Sequence, residues 1–196
     1  MPPPTTPQMP YPTNEPPWLI VFSGLPAAGK TTLARALARE LGAVYLRIDS
    51  IEQAIRDSIT PLDDVGYRAA YAIAADNLRL ARTVIADCVN PIGLTRDAWR
   101  AVASRARTEA VEVEIQCSDP AEHRRRAQSR TADIPGHQLP AWNDIASREY
   151  HPWTRPRLVI DTAGQTIDQS LQALRDALQK QKSRAPGEPE TRHSDS

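Results

Sequence analysis

The octapeptide Gly24-Leu25-Pro26-Ala27-Ala28-Gly29-Lys30-Thr31 constrains this chain more than any other stretch. It satisfies G-x-x-x-x-G-K-[ST] at every fixed position. Before it, Leu19-Ile20-Val21-Phe22 is an unbroken apolar run, the character of a parallel strand buried on both faces. After it, Leu33, Ala36, Leu37 and Leu41 recur at helical spacing. Strand, glycine-bearing loop and helix together aim backbone N–H groups and a helix N-terminus at one point, which makes an anion cradle. Glycines at 24 and 29 permit the tight turn and a close approach of phosphate oxygens. Lys30 has the reach for β- and γ-phosphates, and the Thr31 hydroxyl suits Mg²⁺. The stretch Gly24 to Thr32 is therefore expected to bind nucleotide.

Composition limits what surrounds this loop. A chain of 196 residues suits one domain with a single sizeable core. Its 24 basic and 24 acidic residues balance, so no net electrostatic footprint for nucleic acid or an anionic membrane is present. No apolar run reaches the length of a membrane span, and the N-terminus lacks a basic region followed by an apolar one. The expected location is the cytoplasm. Cys88 and Cys117 each follow an apolar run and read as free thiols rather than a disulfide framework. Residues 1–16 are dominated by Pro, Thr, Gln and Asn, and residues 183–196 are polar, so both are expected to be disordered tails. Pro4 and Pro7 carry a P-x-x-P spacing. The folded unit is expected over 17–182.

Within that unit, apolar runs at Ala43–Ile48, Thr83–Ala86, Val111–Cys117 and Leu158–Ile160 alternate with helical patterns. Expected helices are Ile51–Ser58 with Ser50 as N-cap, Gly66–Arg82, one opened by Thr95 and Asp97, one started by Ser118-Asp119-Pro120, about 141–148, and Ile167 to about Lys180. Five strands separated by helices predict an α/β fold with a parallel sheet covered on both faces. In such sheets ligands bind at the carboxyl ends of the strands.

Two aspartates stand at those ends, Asp49 after the second strand and Asp87 after the third. Phosphoryl transfer asks a protein for positioning, a metal ion and charge neutralisation. One carboxylate can orient or deprotonate an acceptor hydroxyl and one can serve Mg²⁺, with Asp87 and Thr31 as the expected metal residues. Helix capping is the plainer alternative for either aspartate. Arg126 and Arg130, four apart in a basic helix, could stabilise the transferring phosphoryl; the plainer alternative is a solvated face paired with Glu122. Ile134-Pro135-Gly136-His137 reads as the tip of a lid over about 119–150. His123, His137, His151 and His193 have no metal-ligand spacing. Trp142 and Trp153 are candidates for a pocket wall, or for partial core burial.

The loop, the segment Arg47-Ile-Asp-Ser-Ile-Glu52 and the arginine-bearing helix resemble the small P-loop kinases, such as gluconate kinase, adenylylsulfate kinase, chloramphenicol phosphotransferase, polynucleotide kinase and the zeta toxins. Ala86-Asp-Cys-Val-Asn-Pro-Ile-Gly-Leu-Thr-Arg-Asp-Ala-Trp99 is similar to a segment of bacterial ATP-binding proteins grouped as AAA-family ATPases or predicted kinases. The resemblance implies a three-layer P-loop NTPase sandwich with strand order 2-3-1-4-5, and ATP with Mg²⁺ as cofactors. It also implies γ-phosphoryl transfer to a hydroxyl of a small-molecule acceptor. It maps the base to Asp49, the lid arginines to Arg126 and Arg130, and the adenine site to Asp161–Gly164. No strand-end Asp-Glu pair of motor ATPases and no Asn-Lys-x-Asp guanine motif is present. The acceptor stays open. A nucleic-acid end kinase, a sugar-nucleotide kinase and a nucleotide-dependent switch are the other readings.

Overall fold

The computed structural model describes residues 16–58 and 64–183. Most of the two tails, and the loop residues Pro61 and Asp63, lie outside the described residues. Five strands form one parallel sheet: β1 (Trp18–Ser23), β2 (Val44–Arg47), β3 (Val84–Asp87), β4 (Glu109–Gln116) and β5 (Leu158–Asp161), in the order β2-β3-β1-β4-β5. Among the described residues seven helices connect and cover them: α1 (Lys30–Leu41), α2 (Ile48–Arg56), α3 (Val65–Arg79), α4 (Gly93–Arg105), α5 (Pro120–Ser129), α6 (Trp142–Ala146) and α7 (Ile167–Lys182). Fold class and strand order agree with the sequence-based expectation.

β1 explains the layering. All six of its residues are buried, and successive side chains point to opposite faces. Trp18, Ile20 and Phe22 join Leu33 and Leu37 of α1 and Leu171, Leu174 and Leu178 of α7 in one core. Leu19 and Val21 join Ala70, Ala74 and Leu78 of α3 and Trp99 and Val102 of α4 in the other. Each helix supplies an apolar stripe at three- and four-residue spacing, and its burial is the chief source of stability. The pairing register sets Phe22 opposite Asp87, and Asp87 opposite Arg47. The phosphate loop therefore emerges beside two strand-end side chains.

Several boundaries move, and two moves matter for chemistry. β2 ends at Arg47, whose extended backbone is itself the N-cap, so α2 begins at Ile48 instead of Ile51. Asp49 consequently lies in the first turn of a helix, where the helix dipole favours an anion, and Ser50 is no cap. α5 stops at Ser129, and Arg130 is already extended at φ −73°, ψ 148°. Arg126 and Arg130 thus do not share a helix face. α6 ends at Ala146, short of the expected 148, and the chain beyond it runs to Arg96. Buried Arg96 donates to the carbonyls of Asn90, Pro91, His151 and Pro152. It also lies 4.0 Å from the Trp153 ring centroid, which assigns Trp153 to packing rather than to a pocket wall.

Candidate active site

The carboxyl ends of the strands open into a cavity of about 710 Å³. Its walls are the phosphate loop, one face of α2, the end of β3, the segment from α5 to Arg148, and the start of α7. Gly24 holds φ +135° and its N–H donates to the Val89 carbonyl at 3.1 Å. A Cβ there would lie 2.1 Å from the Ile115 carbonyl oxygen, so only glycine fits between β3 and β4. Ala27 at φ +67° and Gly29 at φ +101° complete the loop, and Gly29 caps α1. Pro26, Ala27, Gly29, Lys30, Thr31 and Thr32 line the cavity. Gly24 and Ala28 are buried behind them, and the Leu25 carbonyl accepts from Lys30 Nζ at 2.8 Å. Burial pulls the Lys30 pKa down, opposed by Asp87 and Asp49.

Other elements hold this loop from outside. His123 Nε2 on α5 is 2.8 Å from the Pro26 carbonyl. The ring of Trp142 meets His123 edge-on at 5.2 Å between centroids. Thr162 Oγ1 lies 3.0 Å from the Ala28 carbonyl and accepts from Arg126 Nη1 at 2.7 Å. Arg126 Nη2 donates to the Thr162 carbonyl and to Glu122, whose other oxygen accepts the Gly164 N–H. Arg126 therefore braces α5 against the loop after β5. It lines the cavity, but its guanidinium is committed to Thr162 and Glu122.

Asp87 is 3% exposed, lines the cavity, and accepts at Oδ2 from the Tyr45 hydroxyl at 2.7 Å. Burial first, and then the neighbouring Asp87 charge, push the Tyr45 pKa up, so the phenol stays a donor. Asp49 has a side chain 40% exposed, with Arg47 Nη2 3.8 Å from Oδ2. Asp49, Glu52 and Arg56 follow at spacings of three and four, which places them on one face of α2, and all three line the cavity. Burial raises the Glu52 pKa, Asp49 raises it further, and Arg56 and Arg148 oppose.

The sequence reading missed an ion-pair cluster that joins the segment after α5 to α1 and the end of β2. Asp133 accepts from Arg47 Nη1 at 2.9 and 2.8 Å and from Arg35 Nη2 at 2.7 Å. The Arg47 bond, with Arg35 behind it, holds the Asp133 carboxyl down at about 2. Nothing in local spacing joins residues 35, 47 and 133; only the position of Arg47 at a strand end was a signal. Beside this cluster, Arg130 Nε and Nη2, Arg47 Nε and His137 Nδ1 are buried without a hydrogen-bond partner among the described residues. A buried unsatisfied donor costs about 1–3 kcal/mol, so such a group marks strain or an absent ligand. Burial lowers the Arg130 pKa, partly offset by Asp49.

A family model described as an AAA domain matches residues 19–147. The chain belongs to the AAA domain family. No curated protein matches it. Solved structures share the fold of this AAA domain. A gluconokinase from Sinorhizobium meliloti 1021 is 20% identical with a TM-score of 0.63, covering 86% of this chain and 95% of that one. The Mycobacterium tuberculosis APS kinase CysC, in complex with AMPPNP and APS, is 20% identical with a TM-score of 0.59, covering 83% and 98%. Kti12 from Chaetomium thermophilum, in complex with ADP-AlF3, is 23% identical with a TM-score of 0.55, covering 81% and 98%. Among the described residues no helix is long and apolar enough to cross a membrane, and no group of three or more His, Cys, Asp or Glu could hold a metal.

Proposed function

We propose that this AAA domain is an ATP-dependent kinase that transfers the γ-phosphoryl group to a hydroxyl of a small-molecule acceptor. One observation carries the reading: the phosphate loop and Asp49 line the same cavity, with Arg130 on its wall carrying unpartnered donors. The loop's free backbone N–H groups and those of Gly29 to Thr32, at the N-terminus of α1, hold the triphosphate. Lys30 exchanges the Leu25 carbonyl for phosphate oxygens, a short swing of a side chain already seated in the loop. Arg130 meets charge that grows on the transferring phosphoryl, and binding there satisfies Nε and Nη2.

Asp49 faces the acceptor. Its carboxylate orients the hydroxyl and takes its proton as the bond to phosphorus forms. Asp87 is the better metal residue, being buried and partly occupied by Tyr45. Thr31 and Asp87 supply hard oxygen donors on one wall, which fits Mg²⁺, a cation that keeps water and phosphate as its remaining ligands. Bound there, Mg²⁺ would neutralise phosphate charge. The Arg126–Thr162 brace shapes the nucleotide end beside Gln165 and Thr166, so Arg126 acts as a positioning residue in this reading. A cavity of about 710 Å³ falls in the range of small-molecule sites and favours a compact acceptor over a polymer.

The test is ATP turnover with Mg²⁺, alone and against a panel of small hydroxylated compounds, following ADP release and product mass. Phosphorylated product from one acceptor, with little ADP in its absence, is the expected result. Equal slow ADP release with every compound and no product would overturn the kinase reading in favour of a nucleotide-dependent switch.

A further inference from the structure

The acceptor half of the cavity carries more cationic and donor groups than its own acids can use. Seven of the cavity-lining residues are Lys or Arg, and four are Asp or Glu. At the nucleotide end Lys30 and Arg126 have partners within the loop and on α5, and a metal-chelated triphosphate would add negative charge there. Arg35 and Arg47 share Asp133. Arg56 and Arg148 are different. Neither has a carboxylate within 4.0 Å among the described residues, although both act at longer range on Glu52 between them.

Both arginines, and His137, are held by the fold. Arg56 rides on the cavity face of α2, one turn beyond Glu52, and Nη1 donates to Gln53 Oε1 at 2.9 Å. Glu52 is fixed by the close approach of α3, since a Cβ on Gly66 would lie 2.3 Å from its Cγ. Arg148 follows α6, whose Ile145 is fully buried, and its N–H donates to the Ile145 carbonyl. Three residues later the His151 N–H is tied to the Pro91 carbonyl at 2.8 Å, and Arg96 grips the His151 and Pro152 carbonyls. The backbone around Arg148 is thus anchored on both sides, while Arg148, like Arg56, is exposed. His137 closes the turn 134–137, which Gly136 presses onto Gln53 at φ +75°. Its buried Nδ1, without a partner among the described residues, belongs to a side chain that lines the same cavity. Two guanidinium groups that both act on Glu52, and an imidazole on a turn packed against α2, all line the one cavity and have the chemistry to bind a planar or tetrahedral oxyanion.

We propose that the acceptor carries an oxyanion, a carboxylate or a phosphate monoester, besides the hydroxyl it presents to Asp49, and that Arg56, Arg148 and His137 bind that group. The proposal rests on the kinase reading for the role of Asp49, but the anion site is testable without turnover. Glu52, between the two arginines, is then a gate of opposite sign: it rejects anions that do not engage both guanidinium groups. α2 faces both ends of the acceptor, hydroxyl toward Asp49 and oxyanion toward Arg56.

The experiment loads the protein with AMPPNP and Mg²⁺, so that the phosphate loop is filled. It then measures binding of matched pairs by ligand-observed NMR: glycerate with glycerol, galactonate with galactitol, and ribose 5-phosphate with ribose. The expected result is binding of anionic members only, with the carboxylate and phosphate arms showing which oxyanion the site prefers. Arg56→Gln/Arg148→Gln should weaken that binding at least about tenfold while AMPPNP affinity is unchanged. Arg148→Lys, which keeps the charge, should recover part of it. Equal binding of neutral members, no binding of any anionic member, or a double variant that binds as wild type would each overturn the proposal. Turnover with ATP separates the two readings. Anions that bind while no compound of the panel is phosphorylated leave the site standing and remove the kinase, whereas phosphorylation of neutral polyols alone keeps the kinase and removes the site.

Discussion

The two ends of one cavity solve the same problem, holding negative charge, in opposite ways. At the nucleotide end the loop has protein partners throughout: Lys30 on Leu25, Gly24 on Val89, Pro26 on His123, and Ala28 on Thr162. Beyond the loop Arg130, Arg47 and His137 retain buried nitrogens without partners among the described residues, and toward the proposed acceptor end Arg56 and Arg148 have no ion pair among those residues. A backbone cradle is preorganised and needs little from side chains. A side-chain receptor must leave donors open for a ligand, at a cost in stability of the empty protein.

Four substitutions probe this contrast. Asp49→Asn should lower kcat by roughly 10²–10⁴-fold, as loss of a general base does, with ATP affinity unchanged in a calorimetric titration. Full activity in that variant would remove Asp49 from the chemistry and leave the acceptor end without its base. Lys30→Ala should cost about 10²–10³-fold in kcat/KM, the scale of one lost charge-stabilising donor, and should weaken nucleotide binding too. If steady-state kinetics showed only a KM change, the lysine would serve binding alone.

Gly24→Ala tests whether the cradle is part of the fold. A positive φ and a backbone clash should together cost about 3 kcal/mol, read as a fall in the urea midpoint at constant m-value. A midpoint equal to wild type would mean that the loop can shift away from β4. The smallest effect belongs to Asp133→Asn. The Asp133 carboxyl titrates at about 2 in the folded protein, below its ordinary 3.8, so its pairing stabilises the fold above about pH 4 and is lost as pH falls through 2. Its side chain is 44% exposed, so solvent screening limits the effect to under about 1 kcal/mol. Urea midpoints compared at pH 6 and pH 2.5 should differ between wild type and variant chiefly at the higher pH. An equal gap at both would separate the pairing from the acid response.

The same contrast explains what was readable in the sequence. Gly24–Thr31 announced itself because backbone geometry demands glycines at fixed intervals within eight residues. The sheet order followed from alternating apolar runs together with the resemblance to P-loop kinases. Asp87 was legible as the last residue of a strand. The position of Asp49 was misjudged by one turn of structure, because Arg47 can end a strand and cap a helix without a conventional capping side chain. Arg126 and Arg130 looked equivalent at a spacing of four, yet the helix ends between them, so one braces Thr162 and the other carries unpartnered donors. The pairing of Asp133 with Arg47 was invisible. The two stand 86 positions apart along the chain, tertiary packing brings them together, and no periodicity encodes it.

The seating of Gly24 between Val89 and Ile115 has a practical consequence for finding the acceptor. Because the cradle is stitched into the three central strands, a nucleotide that fills it opposes global unfolding and should raise the melting temperature. On the proposed reading an acceptor held by α2 and residues 130–148 touches the periphery, where opening takes less free energy than unfolding the sheet. A thermal-shift screen would therefore register ATP analogues and pass over the true acceptor. Slowed amide exchange confined to residues 130–148 is the signal by which that molecule should be sought.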